Sequence, residues 1–426
     1  MNSIVGLISA SFAFLISFYH ISGVGNYFLA QRAGILLWHF WAIGILGCLF
    51  LAILSKHSFR LPKGSITYLI WSGLFMLAAG SSLLFVSNGQ VAIDTITRYV
   101  WFFAVTISLV FFVRSPVLKR AVGYGAVLAV VVMSVLTVIE FFDPNFQVIV
   151  DRLVEDKYEV GEINRAGAFH INPNENGIAI VLAMFAGVFF LPSKLRFPFI
   201  LLAGVAIFAT VSRGALTAWA IATFLCFFMG YISKGSILVK SLGVVFVCGL
   251  ASLLVSGQVP GLMADAGIDQ FLSEDMRDRL SENFFTQEDG SAQGRKFVAA
   301  QTLDVFTDNP IAGVGIGATD SIGDVGSHNQ HLKIAAEMGV FGYLIFCGLF
   351  LVALFANSAA AVIFVLLYFA VSLTNHTMLY EPIYAVLIPL STVFIPSMLQ
   401  EAPPAKSRRR RRRRRSASHS ERRLSA

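Results

Sequence analysis

Hydrophobic positions along this chain neither alternate nor keep to one helical face; they run in blocks. Apolar stretches recur near 3–22, 33–54, 65–86, 95–113, 121–142, 176–191, 197–211, 214–232, 237–256, 334–355, 358–375 and 383–399. Runs of roughly 20 apolar residues are long enough to cross a bilayer as helices, and a helix satisfies its own backbone where water is absent. The pattern predicts an all-α polytopic transmembrane helical bundle of twelve spans. Two long polar stretches interrupt it, 143–175 and 257–333. In the second, Phe271, Leu272, Met276, Leu280 and Phe284 recur at roughly helical spacing, and a further helix is expected from Gly294 to Asp308, ending at Asn309-Pro310. A helical cap over the bundle fits this stretch better than a loose loop. The first run begins at Ile4 with no basic segment before it, so it reads as a retained span and not a cleaved signal.

Composition narrows the class further. Hydrophobic residues make up 56% of the chain and charged residues 13%, against about 45–50% and about 25% in ordinary soluble domains. With a mean hydropathy of +0.72, a soluble nucleotide-binding fold, a disordered chain and a disulfide scaffold are excluded. Cys48, Cys226, Cys248 and Cys347 all lie in apolar runs with no CxxC pair, and read as small buried hydrophobes. The net charge of +7 comes from the C-terminus. Residues 401–426 hold eleven basic and two acidic side chains, which leaves residues 1–400 at −2. No aromatic residue interleaves Arg408–Arg415, so this disordered tail reads as a partner for anionic lipid and not for nucleic acid.

Loop charge orients the bundle. Lys56, Arg60 and Lys63, then Arg114, Lys119 and Arg120, then Lys194 and Arg196, then Lys234 fall in alternate breaks, whereas 87–94 has no Lys or Arg and 23–32 only Arg32. Cationic loops stay in the cytoplasm. Both termini are therefore expected inside and both long polar stretches outside.

Candidate chemistry clusters in the outer breaks. Arg165-Ala166-Gly167 precedes Asn172-Pro173-Asn174, which alone reads as a turn and helix start with Asn174 as N-cap and Arg165 as an interfacial anchor. Arg213, in Ser212-Arg213-Gly214-Ala215, stands between two apolar runs on the charge-poor side. An arginine so placed is costly, and its guanidinium fork suits a phosphate or diphosphate. Gly294-Arg295 opens the helix before Pro310, and Gly313-Val314-Gly315-Ile316-Gly317 follows. With no preceding strand those glycines are no dinucleotide loop; a backbone anion cradle and a connector remain equal readings. In Ser327-His328-Asn329-Gln330-His331, Ser327 and Gln330 form a capping box that places His328 in the first helical turn, neutral and available as a base. His331, three residues on, raises a weak metal pair. His376 and Glu381 line the last outer break, where a plain polar turn is the alternative.

In this order, these pieces resemble the O-antigen ligase and polymerase superfamily of bacterial glycan-transferring membrane proteins. The resemblance spans about 160–385: Arg165-x-Gly167 with Asn172-Pro173-Asn174, Ser212-Arg213-Gly214-Ala215, Gly294-Arg295 with Pro310 and Gly313-x-Gly315, His328-Asn329-x-x-Leu332, and Glu337-x-Gly339-x-x-Gly342. It implies three units: N-terminal spans over 1–142, a ligase-like domain over 143–400 that includes the outer loop 257–333, and the tail. It implies an inner-membrane enzyme whose donor is undecaprenyl diphosphate carrying a glycan, with no metal or other cofactor. Arg213, Arg165 and Arg295 would bind the diphosphate, His328 would act as base with Asn329 positioning it, and His376, Glu381 and Asn174 would line the site. A ligase passes the glycan to a lipid acceptor, and a polymerase to another lipid-linked unit. The rival from another class is a transporter of polyprenyl-linked sugar.

Overall fold

The computed structural model describes residues 3–25, 47, 61, 63–86, 88–112, 115–143, 146, 148, 165–170, 172–232, 241, 245, 249, 258–265, 267, 290–321, 328–379 and 381–401. Among these, every regular element is a helix. We label them α1 (Ser3–Ser22), α2 (Lys63–Ser82), α3 (Gly89–Phe112), α4 (Pro116–Phe142), α5 (Pro173–Gly187), α6 (Ser193–Ala209) and α7 (Arg213–Phe228). There follow α8 (Val259–Asp265), α9 (Gly290–Asp308), α10 (Gln330–Cys347), α11 (Leu349–Phe355), α12 (Ala359–Ser372), α13 (Pro382–Pro389) and α14 (Ile395–Glu401). Among the described residues, six stretches are long and apolar enough to cross a membrane: Gly64–Phe85, Gly89–Phe111, Pro116–Phe142, Pro173–Phe190, Gln330–Phe355 and Pro382–Gln400. Gly6–Ser22, Arg213–Phe228 and Ala359–Ser372 are shorter apolar helices. The expected spans 33–54 and 237–256, the helix around Phe271–Phe284 and the arginine tail lie largely or wholly outside the described residues.

Close approach between helices rests on small side chains, as it must where apolar burial alone gives no preference for protein over lipid. Where α4 crosses α1, a Cβ on Gly125 would stand 2.5 Å from the Phe14 carbonyl oxygen, and Ser17 Oγ donates to the Val122 carbonyl at 2.8 Å. Where α5 meets α7, a Cβ on Gly177 would stand 2.7 Å from the Ala215 Cβ. Helix α5 is the axis of the bundle. Every residue from Asn176 to Gly187 is buried, and its one interior polar side chain, Asn176, donates to Thr137 Oγ1 of α4 at 2.8 Å. A helix apolar on all sides belongs inside a bundle. The outer faces are apolar too: Leu77, Leu84, Phe341 and Leu344 are exposed, as suits hydrocarbon contact.

The glycine-rich segment has a structural purpose. α10 breaks at Gly339 (φ +66), which frees carbonyls on its first half. Val314 N–H donates to the Ala336 carbonyl at 2.9 Å, Gly315 N–H to the Glu337 carbonyl at 3.0 Å, and Val340 N–H to the Pro310 carbonyl at 2.8 Å. Backbone thus docks on backbone, and two of the amides suggested for an anion are already committed to carbonyls. Gly313, Gly315 and Gly317 all hold positive φ. Side chains lock the joint: Lys333, fully buried, pairs with Asp320 and, at 3.5 Å, with Glu337, and Glu337 accepts from Thr319 Oγ1 at 2.6 Å.

A Cβ at Gly339 would meet the Ile311 carbonyl oxygen at 2.0 Å and would sit at a positive φ. Gly339→Ala is expected to destabilise the protein by on the order of 3 kcal/mol or more, read as a lower thermal midpoint in detergent. An unchanged midpoint would contradict this docking.

Candidate functional site

Four connections come together at one end of the bundle: the Arg165–His170 segment, the turn between α6 and α7, the start of α10, and the link from α12 to α13. The opposite end carries Lys119, whose Nζ bonds Ser397 Oγ at 2.7 Å, and Arg196, held by the Leu191 and Tyr231 carbonyls.

The α6–α7 turn is the tightest of the four. Val211 adopts φ +51, a conformation that β-branched residues rarely hold and that persists only where surroundings enforce it. Arg165 enforces it. Its guanidinium donates to the Thr210 carbonyl from Nε at 3.0 Å and from Nη2 at 2.9 Å, to the Val211 carbonyl at 3.2 Å, and to Asn174 Oδ1 at 2.8 Å. These are the carbonyls that α6 leaves unpaired at its C-terminus. Immediately after the turn, Ser212 caps α7 by accepting from Ala215 N–H at 3.4 Å, so Arg213 is the first residue of the helix and half-exposed. Arg165 therefore shapes the turn that presents Arg213. Asn174 does not cap α5. Asn172 does, accepting from Asn174 N–H at 2.9 Å, because proline at the first helical position fixes the start there; the Asn174 side chain is left for Arg165.

Glu140, near the end of α4, supports this arrangement from behind. Its carboxylate accepts from Gly167 N–H at 2.8 Å and Ala168 N–H at 2.7 Å, and from Val148 N–H at 2.8 Å. Ala168 also holds a positive φ, +45. A buried carboxylate in an apolar run is costly unless its lone pairs are met, and three amides meet them here. Sequence reasoning missed Glu140, although an acidic residue inside an apolar run was the available signal.

At the start of α10 the cap is Asn329; Ser327 lies outside the described residues. Asn329 Oδ1 accepts from His331 N–H at 2.9 Å and Leu332 N–H at 3.1 Å. His328 consequently precedes the helix, at φ +46, instead of lying in its first turn. Its ring meets His376 edge to face with centroids 5.4 Å apart. Gln330 N–H donates to the Asn375 carbonyl at 3.2 Å, which ties α10 to the His376 segment. In turn Thr374 Oγ1 lies 4.0 Å from where a Cβ of Gly214 would stand. His328, His376 and the Arg213 turn thus share one neighbourhood. His331 does not join it. Its Nδ1 faces Tyr343 Oη at 3.3 Å and its Nε2 faces Ser372 Oγ at 2.8 Å, among Phe346 and Phe369; it is a packing residue, and no metal pair with His328 forms.

α5, α7, α10 and α13 all begin at this end, and each helix start carries a partial positive charge. Burial, with the Lys333 ammonium and His328 adding to it and Asp320 opposing, lowers the His376 pKa from 6.5 to about 4, so its imidazole is neutral at pH 7. Glu381, which precedes α13, has Glu175 of α5 and Arg98 of α3 within electrostatic reach; desolvation raises its pKa and Arg98 opposes the rise. Arg295 lies on α9, and its side chain falls outside the description.

This is a membrane-embedded helical bundle with a polar site at one end. Residues 198–347 match the family model described as O-antigen ligase. The match makes this part of the chain similar to the O-antigen ligase family. It includes Arg213, Arg295, His328 and Asn329, whereas Arg165, Asn174, His376 and Glu381 lie outside it. No curated protein and no solved structure matches the chain.

Arg165→Lys removes the fork that spans both carbonyls, and is expected to cost about 2–3 kcal/mol of stability. Thermal unfolding in detergent tests this, and an unchanged midpoint would contradict the carbonyl clamp. The His376 pKa is lower folded than unfolded, so folding excludes a proton from it. Its contribution is present above about pH 6.5 and is lost as the pH falls toward about 4. His376→Gln is expected to flatten the loss of thermal stability across that window; an unaltered slope would mean that His376 is solvated.

Proposed function

We propose that the protein is an O-antigen ligase-like glycosyltransferase of the bacterial inner membrane. It transfers a glycan from undecaprenyl diphosphate to an acceptor hydroxyl in surface polysaccharide or lipopolysaccharide synthesis. In this reading twelve spans cross the bilayer, both termini are cytoplasmic, and the site faces the periplasm under the cap formed by 257–333. The observation that carries it is the meeting of His328 and His376 beside the Arg213 turn, among converging helix starts.

The chemistry follows from that placement. His328 accepts the proton of the acceptor hydroxyl while the freed oxygen attacks the anomeric carbon of the donor. The bond from that carbon to the diphosphate oxygen breaks, and its electron pair leaves with undecaprenyl diphosphate. The leaving group is the anion of an acid, so it departs without a strong proton donor. What it requires is positive charge, which Arg213 supplies with Arg295 and the start of α7. Arg165 acts mainly through the turn that holds Arg213, since its own guanidinium is bonded to carbonyls. Asn329 sets the backbone from which His328 projects. His376, its pKa lowered to about 4, packs on His328. A polymerase, passing the glycan to another lipid-linked unit, uses the same groups.

His328→Ala is expected to lower transfer by about 10²–10⁴ while lipid-linked donor accumulates, and Arg213→Ala by about 10²–10³. The lipid and polysaccharide profile of complemented deletion strains checks both. Full glycan export with His328→Ala would instead indicate a transporter.

A further inference from the structure

Four polar atoms where the start of α10 meets the α12–α13 link have no hydrogen-bond partner among the described residues: Gln330 Nε2 and Oε1, Asn375 Nδ2 and His376 Nδ1. They belong to one knot. Gln330 N–H donates to the Asn375 carbonyl at 3.2 Å, and His376, next in the chain, packs on His328 at 5.4 Å. Gln330 is 0% exposed and Asn375 6%. Folded proteins pair nearly all buried polar groups, and the exceptions call for a specific cause. Local structure makes no use of these atoms. The cap of α10 is already supplied by Asn329 Oδ1, so the Gln330 carboxamide is not needed there. Asn375 Oδ1 accepts from Thr377 N–H at 2.9 Å and Thr377 Oγ1 at 2.8 Å, which fixes the turn and leaves Nδ2 over.

The chemistry of the unpaired set identifies its ligand. It comprises two amide donor groups, one amide acceptor and one imidazole nitrogen, all uncharged at neutral pH. A phosphate calls for cations. A neutral set that both donates and accepts matches saccharide hydroxyls, each of which does the same. We propose that Gln330, Asn375 and His376 form a saccharide subsite beside His328, distinct from the cationic Arg213 turn. This rests on the glycan-transfer reading and adds to it the residues that recognise sugar. The hydroxyls belong to the donor glycan or to the acceptor glycan, and the test separates the two.

The full chain in lipid nanodiscs is titrated with two probes. One is the lipid-linked saccharide purified from membranes of a strain lacking the protein; the other is undecaprenyl diphosphate without sugar. Gln330→Met keeps length and removes hydrogen bonding, and Asn375→Asp keeps the oxygen that holds Thr377 while removing the donor. Each variant is expected to weaken binding of the sugar-bearing lipid about tenfold and to leave binding of the sugarless lipid unchanged, which also shows that the variant is folded. If the subsite holds the acceptor, binding of both lipids is unchanged and the KM for acceptor glycan rises about tenfold at constant kcat. The proposal is overturned if neither the donor affinity nor the acceptor KM moves, the atoms then being met by water. It is also overturned if both variants lose both lipids equally, which assigns the carboxamides to the fold. Wild-type protein that binds neither lipid contradicts the glycan-transfer reading itself, and the subsite with it.

Discussion

The structure depends on one buried guanidinium. Arg165 takes the carbonyls of Thr210 and Val211, which a tight hairpin between α6 and α7 leaves without partners inside an apolar bundle. Unmet backbone carbonyls are costly in that setting, and Val211 at φ +51 adds strain. Held by Arg165, the turn lets Ser212 cap α7 and makes Arg213 its first residue. The Glu140 carboxylate secures the amides just after Arg165. A carboxylate, two backbone amides, a guanidinium and two carbonyls therefore form a continuous support from α4 to the exposed cation. Arg213 itself is half-exposed, whereas Arg165 is 9% exposed.

A second support acts from the other side. The break at Gly339 and the docking of Val314 and Gly315 on it fix α10, and α10 carries Asn329, which sets His328 at its unusual φ. Three of the four positive-φ non-glycine residues among the described ones, Ala168, Val211 and His328, stand at this end. Strain of this kind gathers where geometry is held for a purpose. The result is a rigid meeting of two imidazoles with a cation and several helix starts.

Much of this was legible in the sequence and some was not. Blocks of apolar residues predicted an all-helical membrane bundle, because block length is set by bilayer thickness and needs no tertiary information. The α9 helix was expected from Gly294 and begins at Gly290, ending at Asp308 as its Asn-Pro stop implied. Arg213 and His328 stood out because charge and imidazole are rare beside such runs. Partner choice was not legible. Nothing local said that Arg165 would face carbonyls 45 residues on, or that the glycine run would dock on a helix kink. At the start of α10, Ser327 and Asn329 are both cap residue types in the sequence, and Asn329 caps the helix by accepting from two amides, which puts His328 before the helix. His331 read as a metal partner because three-residue spacing shares a helix face, but His328 is not on the helix. Gln330 and Asn375 carried no signal, since unpaired burial is a property of the fold.

The most direct measurement is a cryo-electron microscopy map of the protein in nanodiscs with undecaprenyl diphosphate bound. The account requires diphosphate density at the start of α7, in contact with the Arg213 guanidinium, with His328 facing the same space. Diphosphate density at the Lys119 end of the bundle, or a continuous wall of protein between Arg213 and His328, would contradict it.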